Sequence, residues 1–350
     1  SFDSREFTEL LSEHPEYRET FADFTYFENM TAAYSCTKRS IPFILGGDWY
    51  ENQGSFTEYM NGVYSGSPLF TALKERGYLI DLYEDELYTQ DENALSDFDN
   101  IIIANYYVNS WIRLAKQELK LVGFRYAPFD LKRFCMTKKS GFDEEILVDC
   151  GYKGFNSENY YFKGDLEDNE IVMDDTQKRF KFIHLVGAHT PFIYDSDCNI
   201  IDMKGGTYEQ NAEASITLAA MYIDALKKSG AYDDTALIIM ADHGYNGDYT
   251  SEYEFMRQAA LFLVKGRGET HDTMQTSQIP VAYEDLPGAY ERLMDGEESN
   301  GIFDWQENDS RERRFLYYDF DKEDIMIEYI QTGHAQDMTT MVPTGREFNR

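Results

Sequence analysis

Short apolar runs alternate along this chain with polar stretches of helical character. The runs Phe24–Phe27, Tyr78–Tyr83, Ile101–Ala104, Phe182–Val186, Ala236–Met240 and Leu261–Val264 have the length of buried strands. Residues 4–22 read as a polar helical segment, and 69–76 as a helix that Gly77 stops before the next strand. Over 208–229, Ile216, Leu218, Ala219, Tyr222, Ile223 and Leu226 recur at helical spacing, and Gly230 closes that helix. Leu286 to Met294 predicts another. A helix also opens over 40–46, with Ser40 as its cap and Pro42 in its first turn, where a missing N–H leaves no bond unmade. Strands alternating with helices predict an α/β fold, a mostly parallel central sheet with helices on both faces. Residues 135–180 break the alternation. They read as a loop-rich insertion within one domain spanning 1–350.

The composition supports a large core: 42% of the 350 residues are hydrophobic, with 27 Tyr and 24 Phe. No apolar stretch is long enough to span a bilayer, and no basic-then-apolar leader opens the chain. Starting without Met, the chain reads as a piece cut from a longer protein. A formal net charge of −32 sets up a field that repels nucleic acid and anionic membrane surfaces. It repels an anionic substrate too, unless a bound cation reverses the potential in the site. The four cysteines, Cys36, Cys135, Cys150 and Cys198, contain no C-x-x-C pair, which argues against a zinc knuckle or a thioredoxin-type site. A Cys135–Cys150 pairing is open on sequence grounds.

Three places carry candidate chemistry. Asp242 and His243 directly follow the run Ala236–Met240, at the strand tip where open α/β sheets bind ligands. A carboxylate beside an imidazole suits Zn or Mn, and Gly244 lets the chain turn away sharply. His189, in Gly187-Ala188-His189-Thr190-Pro191, follows the run Phe182–Val186. Thr37 precedes the helix announced by Ser40 and Pro42, so its hydroxyl meets free N–H groups that suit a phosphate or sulfate oxygen. His184, inside its run, is expected to pack in the core.

Together these residues resemble the alkaline phosphatase superfamily, in particular its membrane-anchored sulfatase-like branch of phosphoethanolamine transferases and lipoteichoic acid synthases. Thr37-x-x-Ser40-x-Pro42, His189-x-Pro191 and Ala241-Asp242-His243-Gly244 occur in that family's order and rough spacing, and Tyr283-Glu284-Asp285-Leu286-Pro287 resembles its segment after the last core strand. The resemblance implies Thr37 as nucleophile and metal ligand, Asp242 and His243 as further ligands of a divalent metal, Mn or Zn, and His189 as a phosphoryl-binding or acid group. It implies a first carboxylate ligand ending a strand upstream of Ser1, with Asp3 as a substitute candidate. The family's extra His after Asp-His-Gly has no counterpart between Tyr245 and Lys265.

The implied function is metal-dependent phosphoryl-group transfer on lipid or glycolipid headgroups of the cell envelope, phosphoethanolamine or phosphoglycerol transfer, on the extracytoplasmic face. The membrane anchor would be a preceding segment. Two alternatives remain at this point: a sulfatase or phosphodiesterase that passes the group to water, and an inactive homologue that binds envelope glycan. Formylglycine chemistry is disfavoured, because Cys36-Thr37-Lys38-Arg39 lacks the Cys-x-Pro-Ser-Arg pattern.

Overall fold

The computed structural model describes residues 1–84, 95–101, 105–138, 142, 145–149, 155–174, 176–201, 205–245, 257–319 and 325–349. Its strands are β1 (Thr25–Phe27), β2 (Met30–Thr31), β3 (Tyr78–Tyr83), β4 (Asn105–Val108), β5 (Ile146–Asp149), β6 (Lys178–Ile183), β7 (Leu237–Met240), β8 (Phe262–Lys265), β9 (Gln275–Ser277), β10 (Val281–Ala282), β11 (Arg313–Asp319), β12 (Ile325–Gln331) and β13 (Met341–Phe348). The helices are α1 (Ser4–Glu13), α2 (Tyr17–Thr20), α3 (Thr37–Gly46), α4 (Phe56–Gly66), α5 (Pro68–Glu75), α6 (Trp111–Tyr126), α7 (Asn159–Asp168), α8 (Tyr208–Ser229) and α9 (Leu286–Asp295).

The class is α/β with a central sheet, as expected. That sheet runs β7-β8-β1-β9. β8 is antiparallel to both β7 and β1, whereas β1–β9, β2–β10 and β3–β6 are parallel pairs. All four residues of β8 are buried, including Lys265. The Lys265 ammonium is accommodated there by the carbonyls of Tyr232, Thr235 and Gly266 at 3.1–3.2 Å, which is why the strand runs one residue past its apolar run. A separate antiparallel sheet, β11-β12-β13, closes the C-terminal part.

Helix α8 has the predicted bounds. Thr207 and Gln210 form a reciprocal capping box at its start, and Gly230 ends it at φ 78°, where a side chain would be strained. α3 departs from expectation. It begins at Thr37 with Cys36 as its cap, so Pro42 lies in the second turn, and the Ser40 hydroxyl donates to the Tyr34 carbonyl at 3.3 Å instead of capping. The polar segment 4–22 divides into α1 and α2. Of the run Ile101–Ala104, residues 102–104 lie outside the described residues, and strand β4 begins at Asn105. Within 135–180 lie β5 and α7, and α7 packs against α8. Cys135 is a free thiol, and Cys150, its candidate partner, lies outside the described residues. Among the described residues no helix is long and apolar enough to cross a membrane.

Beyond the tip of β3, Glu84 is buried and accepts a hydrogen bond from the Tyr64 hydroxyl at 2.9 Å. Burial raises its pKa from 4.5 to about 8, with the Tyr64 hydrogen bond working the other way. Ionisation therefore opposes folding: stability from this group is intact below about pH 4.5 and is lost as pH rises towards 8. Glu84→Gln is expected to be more stable than the parent by a few kcal/mol at pH 8, on roughly 1.4 kcal/mol per pKa unit, and equal to it at pH 4. Urea titrations at the two pH values check this; an unchanged difference between them would refute it.

Candidate active site

The site forms where three backbone segments meet at the end of β7. Ala241 N–H donates to the Leu261 carbonyl at 3.0 Å and Gly244 N–H to the Arg257 carbonyl at 2.8 Å, which fixes the turn holding Asp242 and His243. The Tyr283 hydroxyl caps the Ala241 carbonyl. Residues 1–3 run alongside: Phe2 N–H donates to the His243 carbonyl at 3.1 Å, and the Phe2 carbonyl accepts from Leu261 N–H. The third segment leads into α3. Ser35 N–H donates to the Leu316 carbonyl, and the Ser35 hydroxyl accepts from Tyr318 N–H, so β11 anchors the residues before Thr37.

Through this folding, Thr37, Asp242 and His243 meet across two hundred residues of sequence. Thr37 Oγ1 lies 3.5 Å from His243 Nε2 and close enough to Asp242 to favour its ionised carboxylate. Asp242 Oδ2 stands 3.3 Å from the same Nε2. Asp242 Oδ1 accepts from His243 N–H at 2.9 Å and lies 3.0 Å from the nitrogen of Ser1. Burial opposes ionisation of Asp242. The neighbouring groups, His243 foremost, outweigh it and hold the carboxyl well below the usual range. Burial lowers His243 to about 4 despite the opposing pull of Asp242, so the ring is neutral at pH 7.

The tautomer follows from the partners. His243 Nδ1 sits 2.7 Å from the Gly244 carbonyl, which only accepts, so Nδ1 carries the proton and Nε2 a bare lone pair. Nε2 thus faces the buried Asp242 Oδ2, which has no hydrogen-bond partner. Two ligands about 2.0–2.2 Å from a tetrahedral Zn stand about 3.3–3.5 Å apart, so the observed 3.3 Å fits a divalent cation between them, with the Thr37 hydroxyl as a third donor. Among the described residues no group of three or more His, Cys, Asp or Glu side chains is placed to hold a metal.

The remaining predicted residues lie as follows. Asp3 is beside the same turn, but its carboxylate is engaged elsewhere. Both oxygens bind the Arg5 guanidinium at 2.7 and 2.8 Å, and they also accept from the N–H groups of Arg5 and Tyr245. His189 is exposed, with Nδ1 2.5 Å from the Thr190 carbonyl. Its loop is held by Asn159, which bonds both backbone groups of Gly187, and by Asn211, which donates to the His189 carbonyl. No described contact joins His189 or Asp3 to the Thr37 cluster. Gly244 does not occupy a left-handed turn. A Cβ there would stand 2.4 Å from the Ala259 carbonyl oxygen, so close backbone approach is what requires glycine.

Two residues gain importance from the structure. His184 is half-buried just past β6, close enough for its charge to act on Asp242. It occupies a strand tip, the same signal that singled out Asp242. Arg39, one turn into α3, is 8% exposed, with its guanidinium 4.1 Å from the Tyr318 ring and 5.3 Å from that of Phe56. Its Nε has no hydrogen-bond partner, and among the described residues no carboxylate pairs with it. Beside it the Cys36 thiol is fully buried, and burial raises its pKa against the opposing effect of Arg39.

No family model matches this sequence, and no curated protein does. Solved structures match at the level of fold. The lipoteichoic acid synthase LtaP from Listeria monocytogenes aligns with 12% identity and a TM-score of 0.52, covering 93% of this chain and 82% of that one. Ps i-CgsB, solved in complex with k-i-k-neocarrahexaose, aligns with 12% identity and a TM-score of 0.50, covering 91% and 76%. A protein in the alkaline phosphatase superfamily from Vibrio parahaemolyticus aligns with 15% identity and a TM-score of 0.47, covering 99% and 76%. Over nine tenths of this chain thus aligns with the folds of LtaP and Ps i-CgsB, at 93% and 91% coverage.

Proposed function

We propose that this chain is a metal-dependent phosphoryl-group transferase acting on phosphodiester headgroups of envelope lipids or glycolipids, with Thr37 as nucleophile. The observation that carries this reading is the convergence of the Thr37 hydroxyl, the bare Nε2 of His243 and the unpartnered oxygen of Asp242. A divalent cation held by these three groups would lower the hydroxyl pKa and neutralise charge on the phosphoryl oxygens. Thr37 Oγ1 attacks phosphorus, the ester P–O bond breaks, and the departing alcohol takes up a proton. An acceptor hydroxyl then attacks the phosphothreonine and frees Thr37. With His243 Nε2 and Asp242 Oδ2 assigned to the cation, the hydroxyl proton would leave to solvent as the cation lowers its pKa. The free N–H groups at the start of α3 favour an anionic ester, and the buried Arg39 guanidinium, with which no carboxylate among the described residues pairs, adds positive charge on the same helix. His189 is proposed to bind the phosphoryl group or protonate the leaving oxygen. The fold shared with a lipoteichoic acid synthase supports an envelope substrate and an extracytoplasmic location.

A second reading, hydrolysis of a sulfate or phosphate ester on a glycan, is favoured by the likeness to a protein that holds a carrahexaose. Product analysis on a chromogenic phosphodiester and a sulfate ester, with and without a sugar acceptor, separates the two. The metal has its own test. Titration with Mn²⁺ or Zn²⁺ should show one site and raise the unfolding midpoint, by about 2.7 kcal/mol of stability at a hundredfold excess over Kd. Asp242→Asn should weaken that binding at least tenfold. Absence of binding, or equal binding by the variant, would remove the metal from this site and leave an inactive fold homologue.

A further inference from the structure

Helix α6 and the 3-10 helix Phe129–Cys135 that packs on it form a hairpin in which no residue is buried. Its apolar side chains face solvent. Trp111, Ile112, Leu119, Val122 and Tyr126 are 51–75% exposed, and their spacing places them with Ala115 on one stripe of the helix. Phe129, Phe134 and Met136 add further exposed apolar surface at 66–88%. Such a continuous apolar patch on a protein otherwise able to fill a large core marks an interaction surface.

The charge on this hairpin reverses that of the chain. Residues 111–138 carry seven Lys or Arg against two Asp or Glu, within a protein of net charge −32. Lys116 and Lys120 lie to one side of the apolar stripe by helical position, with Arg113 on the same side but 3.5 Å from the Glu145 carboxylate. Arg125, Lys132 and Arg133 hold their cations 4.7–5.7 Å from the rings of Tyr126, Phe124 and Phe134. Interior contacts hold the hairpin together: Cys135 packs against Gly123, and Thr137 donates to Gln117 at 2.7 Å. The apolar stripe takes no part in these bonds.

From this pattern we propose that the α6 hairpin docks the protein onto an anionic lipid bilayer. An amphipathic helix with a basic flank and Trp, Phe and Leu on its apolar side lies in the interface plane, with cations at the headgroups and rings at the acyl boundary. The acidic remainder of the chain does not prevent this. Charges further away than about 10 Å are screened at physiological salt, so the local basic flank sets the attraction. A protein partner would be suited by the apolar stripe alone; the cations beside exposed rings match anionic headgroups. The docking does not depend on the identity of the metal or the nucleophile.

Co-sedimentation of the 350-residue chain with vesicles tests the proposal. Binding is expected to vesicles containing 30% phosphatidylglycerol in phosphatidylcholine, to weaken in 0.5 M salt, and to be at least tenfold weaker with pure phosphatidylcholine. Lys116→Glu/Lys120→Glu should reduce it about fivefold or more per lysine. Leu119→Glu/Val122→Glu should abolish it while leaving the circular dichroism spectrum and melting temperature nearly unchanged, because half or more of each residue's surface faces solvent. Fluorescence of Trp111 should shift blue on binding, and the shift should be absent in Trp111→Phe. Failure to sediment with the anionic vesicles, or equal sedimentation by the stripe variant, overturns the proposal. So does a dimer in solution that the stripe variant dissolves, which would assign the surface to a second copy of this chain. None of these outcomes bears on whether Thr37 is a nucleophile.

Discussion

Thr37→Ala is expected to lower kcat/KM on a phosphodiester by about 10³-fold or more while leaving the melting temperature within about a degree of the parent. The loss follows from the placement of the hydroxyl 3.5 Å from His243 Nε2: with the imidazole and the Asp242 carboxylate assigned to the cation, it is the group proposed to bond to phosphorus. Stability should survive because Thr37 is only half-buried, and the helix is capped by Cys36 through backbone geometry without a side-chain bond. Thr37→Ser keeps the nucleophilic oxygen and should retain measurable turnover. Steady-state rates on the three proteins, with circular dichroism as the folding control, check this. Turnover by Thr37→Ala within tenfold of the parent would exclude Thr37 as the nucleophile, whatever the metal does.

Gly244→Ala is expected to damage both the fold and the site. The added methyl would meet the Ala259 carbonyl oxygen at 2.4 Å and Asp3 Oδ2 at 2.9 Å. Neither neighbour yields easily. The Ala259 carbonyl accepts from Ser4 N–H at 3.1 Å, and Asp3 is paired with Arg5 while capping α1. Overpacking of this kind costs about 1–3 kcal/mol, or roughly 1–4 °C in melting temperature for a domain of this size. Relief by movement of the 242–244 turn would carry His243 Nε2 away from Asp242 Oδ2, so metal affinity should fall together with stability. Calorimetric melting and a metal titration on the variant measure the two effects. A variant with unchanged melting temperature would show that the backbone approach at Gly244 is looser than drawn.

Much of the fold was legible because its signals are local. The spacing of Ile216, Ile223 and Leu226 and the stop at Gly230 report the helix Tyr208–Ser229 directly, since the period of burial and the αL closure are properties of neighbouring residues. The run ending at Met240 likewise marks a strand tip with Asp242 and His243 on it. The start of α3 was less clear: Ser40 and Pro42 imitate a first turn, but the chain enters the helix three residues earlier, where β11 fixes Ser35. The stripe on α6 has a readable period, yet period alone gives no indication that it faces solvent instead of a core.

The sequence by itself determined the α/β class, the strand that ends before Asp242, and three short motifs holding Thr37, His189 and Asp242-His243, because each depends on residues adjacent in the chain. Only the tertiary structure decided which of these groups share a space. It brought Thr37 to Asp242 and His243, turned the Asp3 carboxylate to Arg5, left His189 exposed, and set His184 near Asp242. Such distances depend on strand order and on contacts between segments far apart in sequence, and the burial that sets the charge state of His243 exists only once those segments have closed around it.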